Sequence, residues 1–177
     1  PPDDRLAHFA DDVADVLHQL KAVDYDKTIE LFPGLRFRLR DAGHIIGAAI
    51  VELWADEDDG TRKLVFSGDI GPKGTPILRD PSTIEDADLV MLESTYGDRL
   101  HRDRANTLSE LGEIFRDVGQ RGGNILIPAF AVGRTQEILY HLYRLTREGR
   151  LRNLKLFVDS PMAAEATRIT RHYLELF

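Results

Sequence analysis

The sequence has no cysteine among its 177 residues, one tryptophan and two methionines. Without thiols there can be no disulfide staple and no thiolate-held zinc or iron–sulfur centre, which leaves His, Asp and Glu as metal ligands. A thiol-free chain is compatible with the cytoplasm, which is the expected location. No apolar run approaches the roughly 18 residues of a membrane span, so no membrane partner is expected. Pro1-Pro2-Asp3-Asp4 has neither the basic region nor the apolar core of a signal peptide. An initiator Met is also missing, so a processed chain, or a piece of something longer, is expected. The length suits one good-sized core, or one domain plus part of another. There is no internal repeat and no low-complexity segment.

Charge is unevenly placed. Residues 1–97 carry 10 Lys+Arg against 20 Asp+Glu, whereas residues 98–177 carry 13 against 10. Ordinary surface variation would explain this; so would an acidic region that holds cations beside a basic region that faces a polyanion. All but one of the 13 later bases are Arg, the better residue for forked phosphate contacts.

Periodicity divides the chain in two. Residues 4–22 read as an amphipathic helix, with Leu6, Phe9, Ala10, Val13, Val16, Leu17 and Leu20 at three-and-four spacing. His8 and His18 on that helix read as surface or packing residues. Two hairpins follow. Thr28–Phe32 and Leu35–Leu39 flank the turn signal Pro33-Gly34, and Ile45–Trp54 and Lys63–Phe66 flank the acidic turn Asp56–Gly60. That acidic turn lacks the alternating ligands of a calcium loop. Residues 71–81, rich in Gly and Pro, read as a loop, and Ala87–Leu92 as a short buried strand. After Gly97 helix and strand alternate: a helix over 106–121 stopped by Gly122-Gly123, a strand over 124–128, a helix over 134–148, a strand over 154–158 and a helix from Met162. That order predicts an α/β fold with parallel strands and right-handed crossovers.

The chemistry-bearing residues fall at strand ends. Asp41-Ala42-Gly43-His44 follows the second strand, Ser67-Gly68-Asp69 the fourth and Glu93-Ser94-Thr95 the fifth. His44 and Asp69 offer an imidazole nitrogen and a carboxylate oxygen, both suited to zinc with an open position for water. Glu93 stands where a site residue would stand, although a cap or loop hydrogen bond would use it equally well. Ala129–Arg134 and Asp159-Ser160-Pro161 fall at the carboxyl edge of the later strands, where α/β sheets bind ligands. There Gly133, Arg134 and Ser160 are candidates for holding phosphate on free backbone amides, with Arg134 as counter-charge. A satisfied loop carrying a surface Arg is the alternative.

Together these blocks resemble the metallo-β-lactamase-fold nucleases with an inserted β-CASP domain, in the branch that includes RNase J-like enzymes and the mRNA 3′-end endonuclease. Asp41–Ala49 resembles the third metal motif, Ser67-Gly68-Asp69 the fourth, and Glu93–Gly97 the motif that opens the insert. Pro128–Glu137 and Val158–Ala163 match two further blocks, so five lie in order across residues 41–163. The resemblance implies part of an αββα sandwich over 1–97, followed by the first part of a parallel α/β β-CASP domain over 98–177. It implies a zinc-dependent ribonuclease with two zinc ions in the full-length parent, and RNA as partner; a homo-oligomer is compatible with it. It also implies roles: His44 binds one zinc, Asp69 bridges both, and Glu93 orients the histidine that protonates the leaving oxygen.

The sequence departs from the family pattern as well. No His-x-His occurs, so the first metal motifs are absent, and His101, His141 and His172 match no catalytic motif. An interior segment with about two of some seven expected ligands should bind zinc weakly and be inactive alone. A non-catalytic RNA-binding scaffold of the same family, a DNA-directed or small-molecule hydrolase of the same fold, and a plain α/β domain are the competing readings.

Overall fold

A computed structural model of the chain describes residues 4–152 and 154–173, with side chains from residue 11 onward. Helix α1 (Asp4–Gln19) stops three residues short of the span that its apolar periodicity predicts. Val13, Val16 and Leu17, on its apolar stripe, are exposed. The predicted packing of Leu6, Phe9 and Ala10 and the placement of His8 lie outside the described residues.

Five strands then form one sheet in the order of the sequence: β1 (Thr28–Phe32), β2 (Leu35–Asp41), β3 (Ala49–Glu57), β4 (Gly60–Phe66) and β5 (Leu89–Met91). Both predicted hairpins are present. Pro33-Gly34 turns β1 into β2, with Gly34 at φ +80°, and Asp58-Asp59 turns β3 into β4. β3 begins at Ala49, four residues later than its apolar run suggests. The cause is local. Gly43 and Gly47 take the left-handed backbone that few other residues tolerate, and the Ala42 N–H donates to the Ala48 carbonyl at 3.1 Å, so 42–48 closes into a loop.

Strand direction positions the site. β2, β3 and β4 are antiparallel in turn, whereas β5 pairs with β4 in parallel. β2, β4 and β5 therefore all point the same way, and the residues that follow each of them emerge at one edge of the sheet. Those residues lead to His44, Asp69 and Glu93.

The two faces of the sheet differ in kind, as the two-residue period of a strand requires. One face carries Phe37, Leu39, Val51, Leu53, Leu64, Phe66, Leu89 and Met91; all are half-buried or exposed. The other carries Ile50 and Val65 in a small core with Ala42, joined by Ala48 and Ile84. Next to that core lies an ionic network across three strands. Glu52 is 1% exposed and accepts from Arg38 Nε at 2.7 Å, while Lys63 Nζ lies 2.9 Å from its other oxygen and 3.0 Å from Asp86. The ring of Trp54 lies beneath both cations, 5.3 Å from Arg38 and 5.4 Å from Lys63.

Three helices complete the chain: α2 (Arg104–Gln120), α3 (Arg134–Arg147) and α4 (Pro161–His172). Asp103 caps α2 through the Asn106 N–H at 2.8 Å. Phe115 of α2 packs with Leu142 and Leu145 of α3 and with Leu151 in a second small core. The α/β class is thus observed, but residues 124–128 and 154–158, expected as strands, have no strand partners among the described residues. A strand is defined by its ladder, and here Leu126 and Phe157 stay exposed where a neighbouring strand or helix would cover them. No described helix is long and apolar enough to cross a membrane.

The ionic network supplies a test. Burial by itself would raise the pKa of Glu52, but hydrogen bonds from Arg38 and Lys63 outweigh it and hold the carboxyl below its ordinary value. A folded pKa below the unfolded one gives stability that is fully present above the unfolded value, about 4.3, and is lost as pH falls below it through the lower folded value. Glu52→Gln should destabilise the fold by about 3 kcal/mol at pH 7, because it leaves two cations facing a neutral amide. Urea midpoints measured from pH 7 to pH 3 should fall more steeply for the wild type than for the variant. Parallel curves would remove Glu52 as a source of acid lability.

Candidate metal centre

The loop after β2 is built by short-range hydrogen bonds. Asp41 Oδ1 accepts the Gly43 N–H at 2.8 Å, a turn that Asp makes readily with the residue two ahead. The Ala48 carbonyl, which closes the loop, also accepts from Tyr25 Oη at 2.8 Å. His44 stands at the tip with its side chain 44% exposed.

The loop after β4 is held from two sides. The Ser67 N–H donates to the Met91 carbonyl of β5 at 2.9 Å, and Ser67 Oγ donates to the Gly68 carbonyl and accepts from the Glu93 N–H at 3.0 Å. Gly68, at φ +54°, turns the chain so that Asp69 projects outward. Past Asp69, the Ile70 N–H donates to Glu93 Oε1 at 2.5 Å, and Thr95 Oγ1 donates to Glu93 Oε2 at 2.8 Å. The backbone N–H of Ile70, then the Thr95 hydroxyl, and also the nearby His44 hold the Glu93 carboxyl below its ordinary pKa. It is thus a fixed anion at neutral pH, and its visible work is to brace the loop that carries Asp69.

The two loops meet through backbone. The Gly71 N–H donates to the Ala42 carbonyl at 2.8 Å, and a Cβ on Gly71 would lie 1.7 Å from the Gly43 carbonyl oxygen. Only glycine fits there. This approach sets His44 Nε2 4.0 Å from Asp69 Oδ2. Zinc bonds to imidazole nitrogen and carboxylate oxygen run about 2.0–2.2 Å, so both donors lie within the span that one ion can bridge. The pair fits a metal in kind. It does not fit in number, because no third His, Asp, Glu or Cys joins it among the described residues.

Of the remaining candidates, Gly133 is the one brought close to the His44 loop. Gly133, at φ +82°, begins α3, and a Cβ there would lie 3.1 Å from Ile45 Cγ2, next in sequence to His44. Arg134 pairs with Glu137 at 2.8 Å, so its charge is shared with a carboxylate. Ser160 caps α4, its Oγ accepting the Ala163 N–H at 3.1 Å. Sequence reasoning passed over Gln136, which is buried and accepts the Gly133 N–H at 2.7 Å. The signal was available: a Gln three residues after a helix-opening residue is half of a capping box.

With this geometry in place, comparison with known proteins is informative. Residues 135–177 match the Beta-Casp domain. The chain is 40% identical over 169 residues to Ribonuclease TTHA0252 of Thermus thermophilus, covering 93% of this chain and 38% of that protein. It is 30% identical to an RNase J-like protein of Methanocaldococcus jannaschii, covering 95% of this chain and 39% of the relative. It is also 30% identical to Endoribonuclease YSH1 of Kluyveromyces lactis, covering 94% and 22%. Residues 135–177 thus carry part of a Beta-Casp domain, in a chain similar over most of its length to proteins named as ribonucleases. The chain spans about two fifths of the length of the first two relatives and less of the third. Likeness to the two RNases extends well beyond residues 135–177, across the strands that carry His44, Asp69 and Glu93.

Two outcomes follow from the loop contact and the ligand count. Gly71→Ala should cost at least about 3 kcal/mol, since the loops must part to admit the methyl group. Gly47→Ala, at φ +87° with open space around it, should cost only about 1–2 kcal/mol. Equal urea midpoints for the two variants would mean that the close approach carries no energy. Calorimetric titration of the 177-residue chain with zinc should show weak binding or none. A tight, stoichiometric two-ion site would show that donors other than His44 and Asp69 suffice.

Proposed function

We propose that the protein of which this chain is part is a metal-dependent ribonuclease. In this reading residues 1–97 belong to a metallo-β-lactamase-type part and residues 98–177 to the β-CASP part. The observation that carries it is the convergence of His44, Asp69 and Glu93 at one sheet edge, in a chain whose curated relatives include proteins named as ribonucleases. His44 and Asp69 would hold the metal, with zinc as the expected ion and two ions as the expected number. When bound, such an ion supplies polarisation of a phosphoryl oxygen and acidification of water.

The chain's own residues do the rest. Glu93, ionised and tied to Ile70 and Thr95, keeps the Asp69 loop in one position against His44. Its oxygens retain lone pairs for a further donor, as a carboxylate that orients a histidine would need. Gly133 sits beside Ile45, so a phosphodiester chain that passes the site meets the opening of α3. There Arg134, paired with Glu137 yet 62% exposed, can swing to an anionic substrate.

The test is cleavage of matched RNA and DNA oligonucleotides by the intact protein. RNA should be cut, chelation should stop the reaction, and Asp69→Asn should reduce the rate beyond the 10–100-fold expected for Glu93→Gln, which removes only a supporting anion. Cleavage of DNA alone would move the activity to the DNA-directed reading. RNA binding without cleavage would make the protein a scaffold.

A further inference from the structure

Gln136 satisfies every polar atom it has. Its Oε1 accepts the Gly133 N–H at 2.7 Å; its Nε2 reaches the Ala131 carbonyl at 3.0 Å, Thr167 Oγ1 at 3.0 Å and, more distantly, the Ala163 carbonyl at 3.4 Å. Thr167 Oγ1 donates its own proton to the Ala163 carbonyl at 2.7 Å, so towards Gln136 it can only accept. The amide orientation is thereby fixed: oxygen towards Gly133, nitrogen towards α4. The residue is 6% exposed, and its bonding partners Ala131, Gly133 and Thr167 are half-buried.

These bonds join segments that are distant in sequence. The loop before α3 is folded on itself by the Thr135 N–H and hydroxyl, both donating to the Phe130 carbonyl at 3.2 and 2.8 Å. Gln136 then ties that loop, at Ala131 and Gly133, to α4 at Thr167. Gly133 in turn lies close to Ile45, beside His44: a Cβ there would come within 3.1 Å of Ile45 Cγ2. A shift of α4 relative to α3 would therefore move Gly133 and Arg134 against the loop that carries His44.

We propose that Gln136 is a positioning residue: through Ala131, Gly133 and Thr167 it sets where the substrate-facing opening of α3 stands relative to the His44 loop. This rests on the ribonuclease reading for its catalytic consequence, but not for its structural one. A helix cap alone would need only the bond to Gly133. The donors spent on Ala131 and Thr167 are what tie the loop to α4.

The discriminating variant is Gln136→Glu in the intact protein. It keeps the acceptor for Gly133 and the volume, but loses both donors and sets an anion against two carbonyls. KM for a single-stranded RNA oligonucleotide should rise roughly tenfold with kcat nearly unchanged, as for lost placement of a binding loop. Thr167→Val should shift KM in the same direction, and Thr167→Ser, which keeps the hydroxyl, should restore it. Amide exchange should quicken in residues 129–135 and 42–48 while the peptides of β1–β4 keep their wild-type protection. A fall in kcat at constant KM, or uniform quickening of exchange throughout the protein, would overturn the proposal. Should the wild type fail to cleave RNA, the ribonuclease reading fails, and the exchange pattern still decides the role of Gln136.

Discussion

The site depends on one close packing of backbone. At Gly43 and Gly71 two loops approach until neither has room for a side chain: a Cβ on Gly43 would meet the Arg79 carbonyl at 2.7 Å, and one on Gly71 would fall inside the Gly43 carbonyl group. A hydrogen bond from Gly71 to Ala42 locks the approach, and Ser82 adds another to the Asp41 carbonyl at 2.8 Å. His44 and Asp69, each adjacent to this knot, are exposed and make few contacts of their own. Their separation is set by the main chain, which is stiffer than side-chain packing and does not change when the ligands do.

The sheet behind the knot is held in register by charge on one face and left apolar on the other. A carboxylate as buried as Glu52 survives only because Arg38 and Lys63 reach it from the strands on either side. Each of those cations must cross from its own strand to β3, so slippage by one residue would strand a buried charge and turn the apolar face inward. The network therefore specifies the register that brings the ends of β2 and β4 out at the same edge of the sheet, two residues out of step along β3. Exposed Leu89 and Met91, continuous with Phe66 and Leu64, leave the opposite face as a surface suited to packing against further protein.

What could be read in advance followed physical locality. The hairpins were legible because Pro33-Gly34 and Asp58-Asp59-Gly60 leave the backbone few other choices, and α2 to α4 because their apolar spacing and caps are local. The start of β3 was misplaced because Ile45 and Ile46 look like strand residues; nothing in their own chemistry announces that Ala42 and Ala48 will pinch the loop shut. The runs at 124–128 and 154–158 have strand composition, but a strand needs a partner, and composition does not contain one. His44, Asp69 and Glu93 were found as residues at strand ends. That Glu93 spends both oxygens on Ile70 and Thr95 was invisible, since those bonds span 23 residues in one case and depend on β5 pairing with β4.

Gln136 and Glu93 solve the same problem in different loops. Each is a polar side chain bonded to backbone and hydroxyl groups, and each fixes a loop that presents a more exposed residue, Arg134 in one case and Asp69 in the other. Exposed groups that must meet a charged substrate cannot be buried for rigidity without losing access. Rigidity must then come from the residues next to them. That division explains why the metal and phosphate candidates here have few partners of their own, while Glu93 and Gln136 beside them are held by several hydrogen bonds.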